Sequence, residues 1–442
     1  MTTDELIRED TTLTVARVRA TPAKSDSTTI CVTPLDDAFF RHLSQSYWQW
    51  RELCEQDPQA RVTQHPDLVL AELRHAPESS QCPAVLIECR VHDHLRAAAV
   101  LVPKQTAGEK RFGAGWSLSG YRLAGNRILG SVPASDVSPF AQAVAAQLSR
   151  TDADFLLIED VDSEAPVLEL LSGQHCPLQV YRPTTPQPRH RIELPESFDA
   201  YMARFKSRTR NTLRRKVKKF GECRLERITE LDQLPEFLSA AHEISRNTWQ
   251  TAVLGLRIHD DDREYEYFTT LSQLQSLRAY LLWQRDTPVS FCVGTQFNGV
   301  FDYEEVGYDR RFAQASPGQV MVLKMIEDLY RSGTPRLFDF GGGDAEYKRQ
   351  FANCQSESGN VWLLSPGVRS FAIRSYFDSR RFLTRTLRTA CRKAGVMNRL
   401  RQLTRRGLTH RGLAQHNETD NSKRSDTQSV SQSVSQPNRG PA

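Results

Sequence analysis

The chain has 442 residues, a formal net charge of +5 at pH 7 and nine cysteines. This length can supply two or three domains with buried cores. The cysteines are odd in number and never form CxxC, so we predict neither a disulfide framework nor a zinc or other metal site, and a reducing cytoplasm fits best. The start lacks the apolar core of a signal peptide, and no apolar run approaches the roughly 18 residues of a membrane span.

Positive charge is concentrated in two stretches. Residues 204–219 hold nine Lys and Arg and no acid, and residues 366–412 hold thirteen against a single acid, Asp378. The remainder of the chain is therefore acidic on balance. An acidic body with two basic elements indicates localised contacts with anions rather than a general coating of nucleic acid.

The elements predicted along the chain form a repeated unit. After the polar residues 1–30, which we expect to be disordered, each half shows two helices, a hairpin, a further strand region, a helix, a strand, a short helix and a last strand. The first copy is predicted at 36–55, 66–74, 84–103, 138–149, 154–161, 165–172 and 176–183. The second is predicted at 232–250, 263–277, 279–299, 300–308, 318–331, 336–341, 344–353 and 358–365.

This repeat predicts a duplicated α/β unit with a mixed sheet and about 150 to 180 residues per copy. The proline-rich segment 183–190 is the predicted linker. We therefore expect an N-terminal domain at 31–185 and a C-terminal domain at 186–365. A basic helical extension at 366–414 and a low-complexity, disordered tail at 415–442 complete the predicted organisation.

The first basic stretch is predicted to be one helix. Apolar residues from Met202 to Phe220 form a single stripe, and Gly221 ends it. The surrounding cations are either a plain solvated face or an anion-binding edge, and their place at the entrance to the second copy favours the edge. Arg208, Arg214 and Arg215 are its candidate substrate-binding residues. The second basic stretch reads as an amphipathic helix suited to contact with a membrane surface.

A Ser-Pro-Gly turn between the strand at 300–308 and the following helix indicates a phosphate site. A helix N-terminus presents backbone N–H groups and the positive end of the helix dipole. The alternative is a simple loop with a proline-initiated helix. The candidate cofactor-binding residues are Arg310, Arg311, Ser316, Gly318, Gln319 and Val320.

The stretch "DFGGGDAEYKRQF" (339–351) places three glycines before a short helix. Glycine gives the backbone access to positive φ and keeps side chains away from a ligand, so Gly341, Gly342 and Gly343 are candidate substrate-binding residues. Asp344 is predicted to cap the helix that carries Tyr347 and Lys348. The alternative is a plain turn with a surface ion pair between Asp344 and Lys348.

Three stretches together resemble one protein family: "LPESFDAYMARFKSRTRNTLRRKVKKF", "GYDRRFAQASPGQVM" and "DFGGGDAEYKRQFA". They resemble the GNAT acetyltransferase-like proteins of the CelD-like family, associated with exopolysaccharide or cellulose biosynthesis and related to the FemAB peptidyltransferases. The likeness covers roughly residues 35 to 365. It implies tandem GNAT domains that pass an acyl group, with acetyl the first expectation, from acyl-CoA to an amine or hydroxyl of a cell-envelope or exopolysaccharide-related acceptor.

The phosphate loop departs from the GNAT signature Q/R-x-x-G-x-G/A. Gln314 is followed by Ala-Ser-Pro-Gly-Gln, so Pro317 and Gln319 stand where the signature has small residues. The resemblance therefore leaves two alternatives open. One is a FemAB-like transferase that uses aminoacyl-tRNA, and the other is a non-catalytic GNAT-like module in a polysaccharide assembly.

The resemblance also implies catalytic residues. In GNAT-like enzymes the base usually lies on the strand before the phosphate loop, so Glu304 or Glu305 is the candidate, with one of the two facing the site and its neighbour facing away. Lys348, Asp344 and Tyr347 fall on the family's glycine motif. Lys348 could steady a carbonyl oxygen or an anionic substrate.

Overall fold

The computed structural model of the chain describes residues 28–76, 82–106, 117–174, 176–248, 258–259 and 261–393, with side chains described up to residue 386. Residues up to Phe371 form one compact unit, and residues from Ala372 onward form a second. The sheet and the candidate site belong to the first unit.

Fourteen strands among the described residues form one mixed sheet. The strands are β1 (Thr28–Pro34), β2 (Val85–Val91), β3 (His94–Thr106), β4 (Leu118–Leu123), β5 (Leu129–Gly130), β6 (Leu156–Asp162), β7 (Gln179–Tyr181), β8 (Gln187–Glu193), β9 (Cys223–Ile228), β10 (Ala279–Gln284), β11 (Thr287–Phe297), β12 (Val300–Tyr308), β13 (Leu337–Gly342) and β14 (Cys354–Leu364).

The described helices flank this sheet in chain order. They are α1 (Asp37–Arg41), α2 (Gln45–Gln56), α3 (Pro66–Arg74), α4 (Val137–Arg150), α5 (Pro166–Ser172), α6 (Phe198–Ala203), α7 (Ser207–Phe220), α8 (Leu234–Arg246), α9 (Asp262–Gln273), α10 (Pro317–Ser332), α11 (Glu346–Phe351) and α12 (Val368–Lys393).

The order of the strands across the sheet is a near palindrome. It runs β1-β2-β3-β4-β6-β14-β8-β13-β12-β11-β10-β9. Read from the two edges inward, the hairpin β2–β3 matches β10–β11, and the parallel pair β4–β6 matches the parallel pair β12–β13. The predicted tandem α/β arrangement is confirmed, and its two copies share one continuous sheet.

The two halves exchange strands at the centre of the sheet. β8, which precedes the second copy, lies between β13 and β14, while β14, at the end of the second copy, pairs with β6 and β7 of the first. The linker predicted at 183–190 is therefore wrong in its second part, because β8 begins at Gln187. The exchange spans the domain limit predicted between residues 185 and 186, and the limits themselves stay a prediction.

The ends of the chain differ in part from expectation. Residues 28–30 were expected to be disordered but begin β1, where they pair with β2. The rest of the 1–30 segment, residues 394–414 of the basic extension and the tail at 415–442 lie outside the described residues. Among the helices that are described, none is long and apolar enough to cross a membrane.

Apolar side chains pack on both faces of the second copy's sheet. Along β11, Cys292 belongs to the cluster beneath α10, whereas Phe291 and Val293 belong to the cluster beneath α8 and α9. This alternation is the period of two that a strand imposes on its side chains. The face of α10 predicted to be apolar is buried in the first of these clusters.

The first basic stretch forms two helices instead of the single helix predicted. α6 ends at Ala203, and α7 begins at Ser207. Between them Phe205 enters the core, and the Arg204 guanidinium lies 4.4 Å from the centre of its ring. The apolar stripe therefore continues across a break in the backbone, and the predicted stop at Gly221, which has φ 83°, is confirmed.

Candidate active site

The parallel strands β12 and β13 pair over only three residues. The pairs join Val300–Asp302 to Leu337–Asp339, and beyond them the two strands continue without pairing to each other. Their carboxyl ends therefore part at one edge of the sheet, where β12 leads towards the start of α10 and β13 enters the glycine turn. In open α/β sheets, ligands bind in crevices at the carboxyl ends of the strands.

A β-bulge in β12 sets the direction of both candidate glutamates. Glu305 lies opposite Val293 and Tyr303 lies opposite Gly294, so Glu304 is the extra residue. Because the register places Glu305 across from Val293, whose side chain packs beneath α8, Glu305 points to that face together with Glu304. The prediction that neighbouring glutamates face opposite ways is wrong, since a bulge interrupts the alternation of a strand.

The Glu304 carboxylate is held by two hydroxyl groups. Thr295 Oγ1 donates to Oε1 at 3.0 Å, and the Tyr267 hydroxyl donates to Oε2 at 3.4 Å. The side chain reaches solvent although protein atoms surround it on all sides, as expected in a cleft. Burial among those atoms, with a smaller contribution from Asp302, raises the pKa of Glu304 to about 7. A carboxylate with such a pKa can take up a proton near neutral pH.

A second acidic side chain with a raised pKa lies on α9. Burial, reinforced by the charges of Asp261 and Glu305, raises the pKa of Glu264 to about 7. Sequence reasoning missed Glu264, Tyr267 and Thr295, because their proximity to Glu304 depends on how α9 and β11 pack against β12.

Tyr347 lies on the opposite face of the sheet from the glutamates. It packs with Phe340 and Tyr303 in the cluster beneath α10, and burial raises its pKa to about 12. A hydrogen bond joins its hydroxyl to that of Tyr303. The structure thus places Tyr347 beside the strands that part, but not with Glu304.

The glycine turn needs two of its residues for their backbone and one for its lack of a side chain. Gly341 and Gly343 have φ of 67° and 93°, as the sequence predicts. Gly342 donates its N–H to Asp160 of the first copy at 3.0 Å, and a Cβ on it would lie 2.5 Å from the Asp160 Oδ1. The turn is therefore a contact between the two halves of the chain.

We expect Gly342→Ala to destabilise the protein by about 1–3 kcal/mol, the cost of inserting a methyl group into a packed site. Asp160 cannot move aside freely because it also binds Arg189 and Ser358. Urea unfolding measures the loss. In an Asp160→Ala background the same substitution should cost less, and equal costs in both backgrounds would contradict this contact.

Lys348 closes the glycine turn. Its Nζ donates to the Phe340 carbonyl at 2.8 Å and to the Gly342 carbonyl at 3.0 Å, and burial lowers its pKa. Asp344 instead accepts from Arg349 at 3.1 Å and lies 3.2 Å from His190 Nε2. The predicted helix cap and the alternative ion pair with Lys348 are both wrong, because α11 starts at Glu346 with Ala345 at its cap.

Replacing Lys348 with methionine should lower stability by about 1–2 kcal/mol, since each lost hydrogen bond is worth roughly 1 kcal/mol net. Arg349→Met is the matched control, because that guanidinium is exposed and exposed ion pairs contribute little. Thermal and urea unfolding compare the two variants. Equal stability would remove Lys348 from the support of the turn.

The predicted phosphate loop offers fewer backbone donors than expected. Ser316 is left-handed with φ 59°, and its carbonyl accepts the N–H groups of Gln319 and Val320 at 3.1 and 3.2 Å. Pro317 has no N–H. Within the described residues, only the Gly318 N–H at the start of α10 has no acceptor, so the expectation for Gln319 and Val320 is wrong.

The charged side chains near this loop also differ from expectation. Arg311 is bound to Asp309 at 2.8 Å, which neutralises much of its charge, whereas Arg310 is exposed. Two lysines of α7, which sequence reasoning did not single out, reach the loop: Lys216 donates to the Gln319 side chain, and Lys219 donates to the Gln314 carbonyl at 3.3 Å.

An ionic network that the sequence did not predict lies where the halves meet. Asp339 is fully buried and accepts from Arg189 Nε at 2.9 and 3.0 Å and from Arg191 Nε at 3.1 Å. Burial alone would raise the pKa of Asp339, but Arg189, Arg61 and Arg191 outweigh it and hold the pKa well below its ordinary value. The only sequence signal was the spacing of Arg189 and Arg191 at i and i+2 on one strand.

A cavity of about 1100 Å³ adjoins this network. Its walls come from both copies and include Arg61, Asp160, Arg189 and Arg191. None of the site residues predicted from the sequence lines it. The cavity is therefore a feature separate from the gap between β12 and β13.

Comparison with known proteins identifies part of the chain. A family model described as "Acetyltransferase (GNAT) domain" matches residues 207–349, about a third of the chain. This range contains the parted strands, Glu304, the phosphate loop and the glycine turn. Together with the repeated strand order, it defines the chain as two GNAT-like α/β units in tandem. No curated protein sequence matches the chain.

Several solved structures are similar to the chain at low identity. "Crystal structure of FemX" is 12% identical, covering 72% of this chain and 96% of that one, with a TM-score of 0.49. A tandem GNAT protein from the clavulanic acid biosynthesis pathway is 12% identical, covering 76% and 99%, with a TM-score of 0.45. The C-terminal domain of a putative lysylphosphatidylglycerol synthetase from Agrobacterium fabrum is 10% identical, covering 74% and 94%, with a TM-score of 0.45.

Proposed function

We propose that the protein is an acyltransferase that moves an acyl group, with acetyl the first expectation, from acyl-CoA to an amine or hydroxyl of a cell-envelope or exopolysaccharide-related acceptor. One observation carries the proposal: Glu304, whose pKa is raised to about 7, projects from a bulge where β12 and β13 part. The matched GNAT domain supports the donor.

In the proposed reaction, Glu304 takes the proton of the acceptor nitrogen or oxygen. That atom attacks the carbonyl carbon of the thioester, its new bond to carbon forms, and the carbon–sulfur bond breaks with the electron pair on sulfur. The thiolate then takes up a proton and leaves as CoA. Backbone N–H groups of β12 that point into the gap are suited to stabilise the oxyanion.

The other predicted site residues take supporting roles in this proposal. Lys348 fixes the carbonyls of the glycine turn, and the turn itself leaves room for the acceptor. The first copy supports the second, and its cavity of about 1100 Å³ is available to part of the acceptor. A cytoplasmic enzyme of the CelD-like kind, with membrane contact through α12, completes the proposal.

A second candidate donor is aminoacyl-tRNA, as in the FemAB branch. It is favoured by the single Gly318 N–H that lacks an acceptor in the described loop, which is a thin cradle for the diphosphate of CoA. A non-catalytic binding module is the third possibility.

Isothermal titration separates these possibilities. We expect CoA and acetyl-CoA to bind with micromolar affinity. Binding of charged tRNA in place of CoA would favour the FemAB-like reaction. Binding of neither donor would favour the module and contradict an acyltransferase.

A further inference from the structure

Helix α7 carries an uncompensated positive surface. Seven of its fourteen residues are basic, and Lys206 precedes it. Within the described residues, no carboxylate lies within 4 Å of any of these eight side chains, although most other arginines of the unit have such partners. The cations, which we call the α7 basic face, are Lys206, Arg208, Arg210, Arg214, Arg215, Lys216, Lys218 and Lys219.

This arrangement works against the helix itself. Arg210 with Arg214, Arg214 with Lys218, and Arg215 with Lys219 are like charges one turn apart, which destabilises a helix. The rest of the chain has acidic residues in excess, so partners of opposite charge were available to the sequence. An anion from outside the chain would remove the repulsion.

One edge of the α7 basic face adjoins the phosphate loop. Lys216 contacts the side chain of Gln319, and Lys219 contacts the carbonyl of Gln314 at 3.3 Å. An ammonium group has three N–H donors, so each lysine keeps two for a ligand. Only the Gly318 N–H lacks an acceptor in the described part of this loop, and the lysines can supply the donors that the backbone does not.

We propose that Lys216 and Lys219 bind the phosphate groups of coenzyme A at the edge of the α7 basic face. This assignment rests on the proposed function and names residues for its donor site. Coenzyme A is the chosen occupant because its phosphates lie together at one end, and the two lysines converge on one short loop. A nucleic acid would use the whole length of the helix evenly.

Calorimetry with matched double variants tests the assignment. K216Q/K219Q and K206Q/K218Q remove the same charge from the same helix, but only the first pair touches the loop. The probes are CoA and pantetheine, which lacks phosphate. We expect K216Q/K219Q to raise the Kd for CoA at least tenfold, K206Q/K218Q to raise it less than threefold, and neither pair to change pantetheine binding. Unchanged melting temperatures show that the variants fold.

The other outcomes separate this assignment from the function on which it rests. Equal weakening by both pairs, or no weakening by either, would overturn the assignment while leaving CoA as the donor. Wild-type protein that binds no CoA would overturn the proposed function and the assignment together. An RNA hairpin ending in CCA is the comparison ligand, and RNA binding that depends equally on all four lysines would replace coenzyme A with a nucleic acid on this face.

Discussion

Glu304→Gln should lower kcat by about a hundredfold or more, the scale of a lost general base. The amide keeps the shape of the side chain and its contacts with Thr295 and Tyr267, so the melting temperature should change little. The wild-type rate should also depend on pH. Because the base acts only when it has lost its proton, and its pKa is raised to about 7, kcat/KM should rise through pH 7 and level off above it.

Two further variants make this result specific. Glu305→Gln should reduce the rate less, because Glu305 is not the extra residue of the bulge. Glu236→Gln, on the exposed side of α8, is the control for a lost surface charge and should not alter the rate. An E304Q enzyme within threefold of the wild-type rate, with its pH profile unchanged, would show that Glu304 is not the base.

Asp339→Asn should destabilise the protein by about 3–5 kcal/mol, the cost of removing one member of a buried ion pair. The asparagine fits the same space but leaves Arg189, which is 6% exposed, without its main counter-charge. Urea unfolding at pH 7 gives the free energy directly. Asp162→Asn is the matched control, because Asp162 pairs with Arg191 but is 38% exposed, so we expect a loss of at most about 1 kcal/mol.

The same network predicts a pH dependence of stability. The pKa of Asp339 is lower in the folded protein than its ordinary value of 3.8. Its contribution is therefore present above that value and is lost as the pH falls below it. Wild-type and D339N proteins should differ in unfolding free energy at pH 7 and converge as the solution is acidified. A constant difference across this range would contradict the burial of a charged Asp339.

The architecture could be predicted because its signals are local. The hairpins at 84–103 and 279–299 and the face of α10 from Val320 to Leu329 each follow a strand or helix period. The positive φ of Gly341 and Gly343 likewise follows from the glycine run itself. The strand exchange could not be predicted, since pairing of β14 with β6 joins residues almost 200 apart and no local pattern specifies it.

The site was predicted less well, for physical reasons that differ between residues. A bulge is invisible in the sequence "VFDYEEVGY", so the common direction of Glu304 and Glu305 was missed. Lys348 is correctly placed at the turn, but its ammonium satisfies backbone carbonyls that only the folded turn creates. Arg189, Arg191 and Asp339 come together through the exchanged strand β8, so their network depends on tertiary structure alone.

Hydrogen–deuterium exchange with acetyl-CoA tests most directly whether the donor occupies the gap between β12 and β13. We predict slower exchange in residues 303–308, 316–320 and 340–343, with the region 126–132 and 160–170 around the cavity of the first copy unchanged. Protection confined to that cavity, or no protection at saturating acetyl-CoA, would contradict a donor site in the second copy.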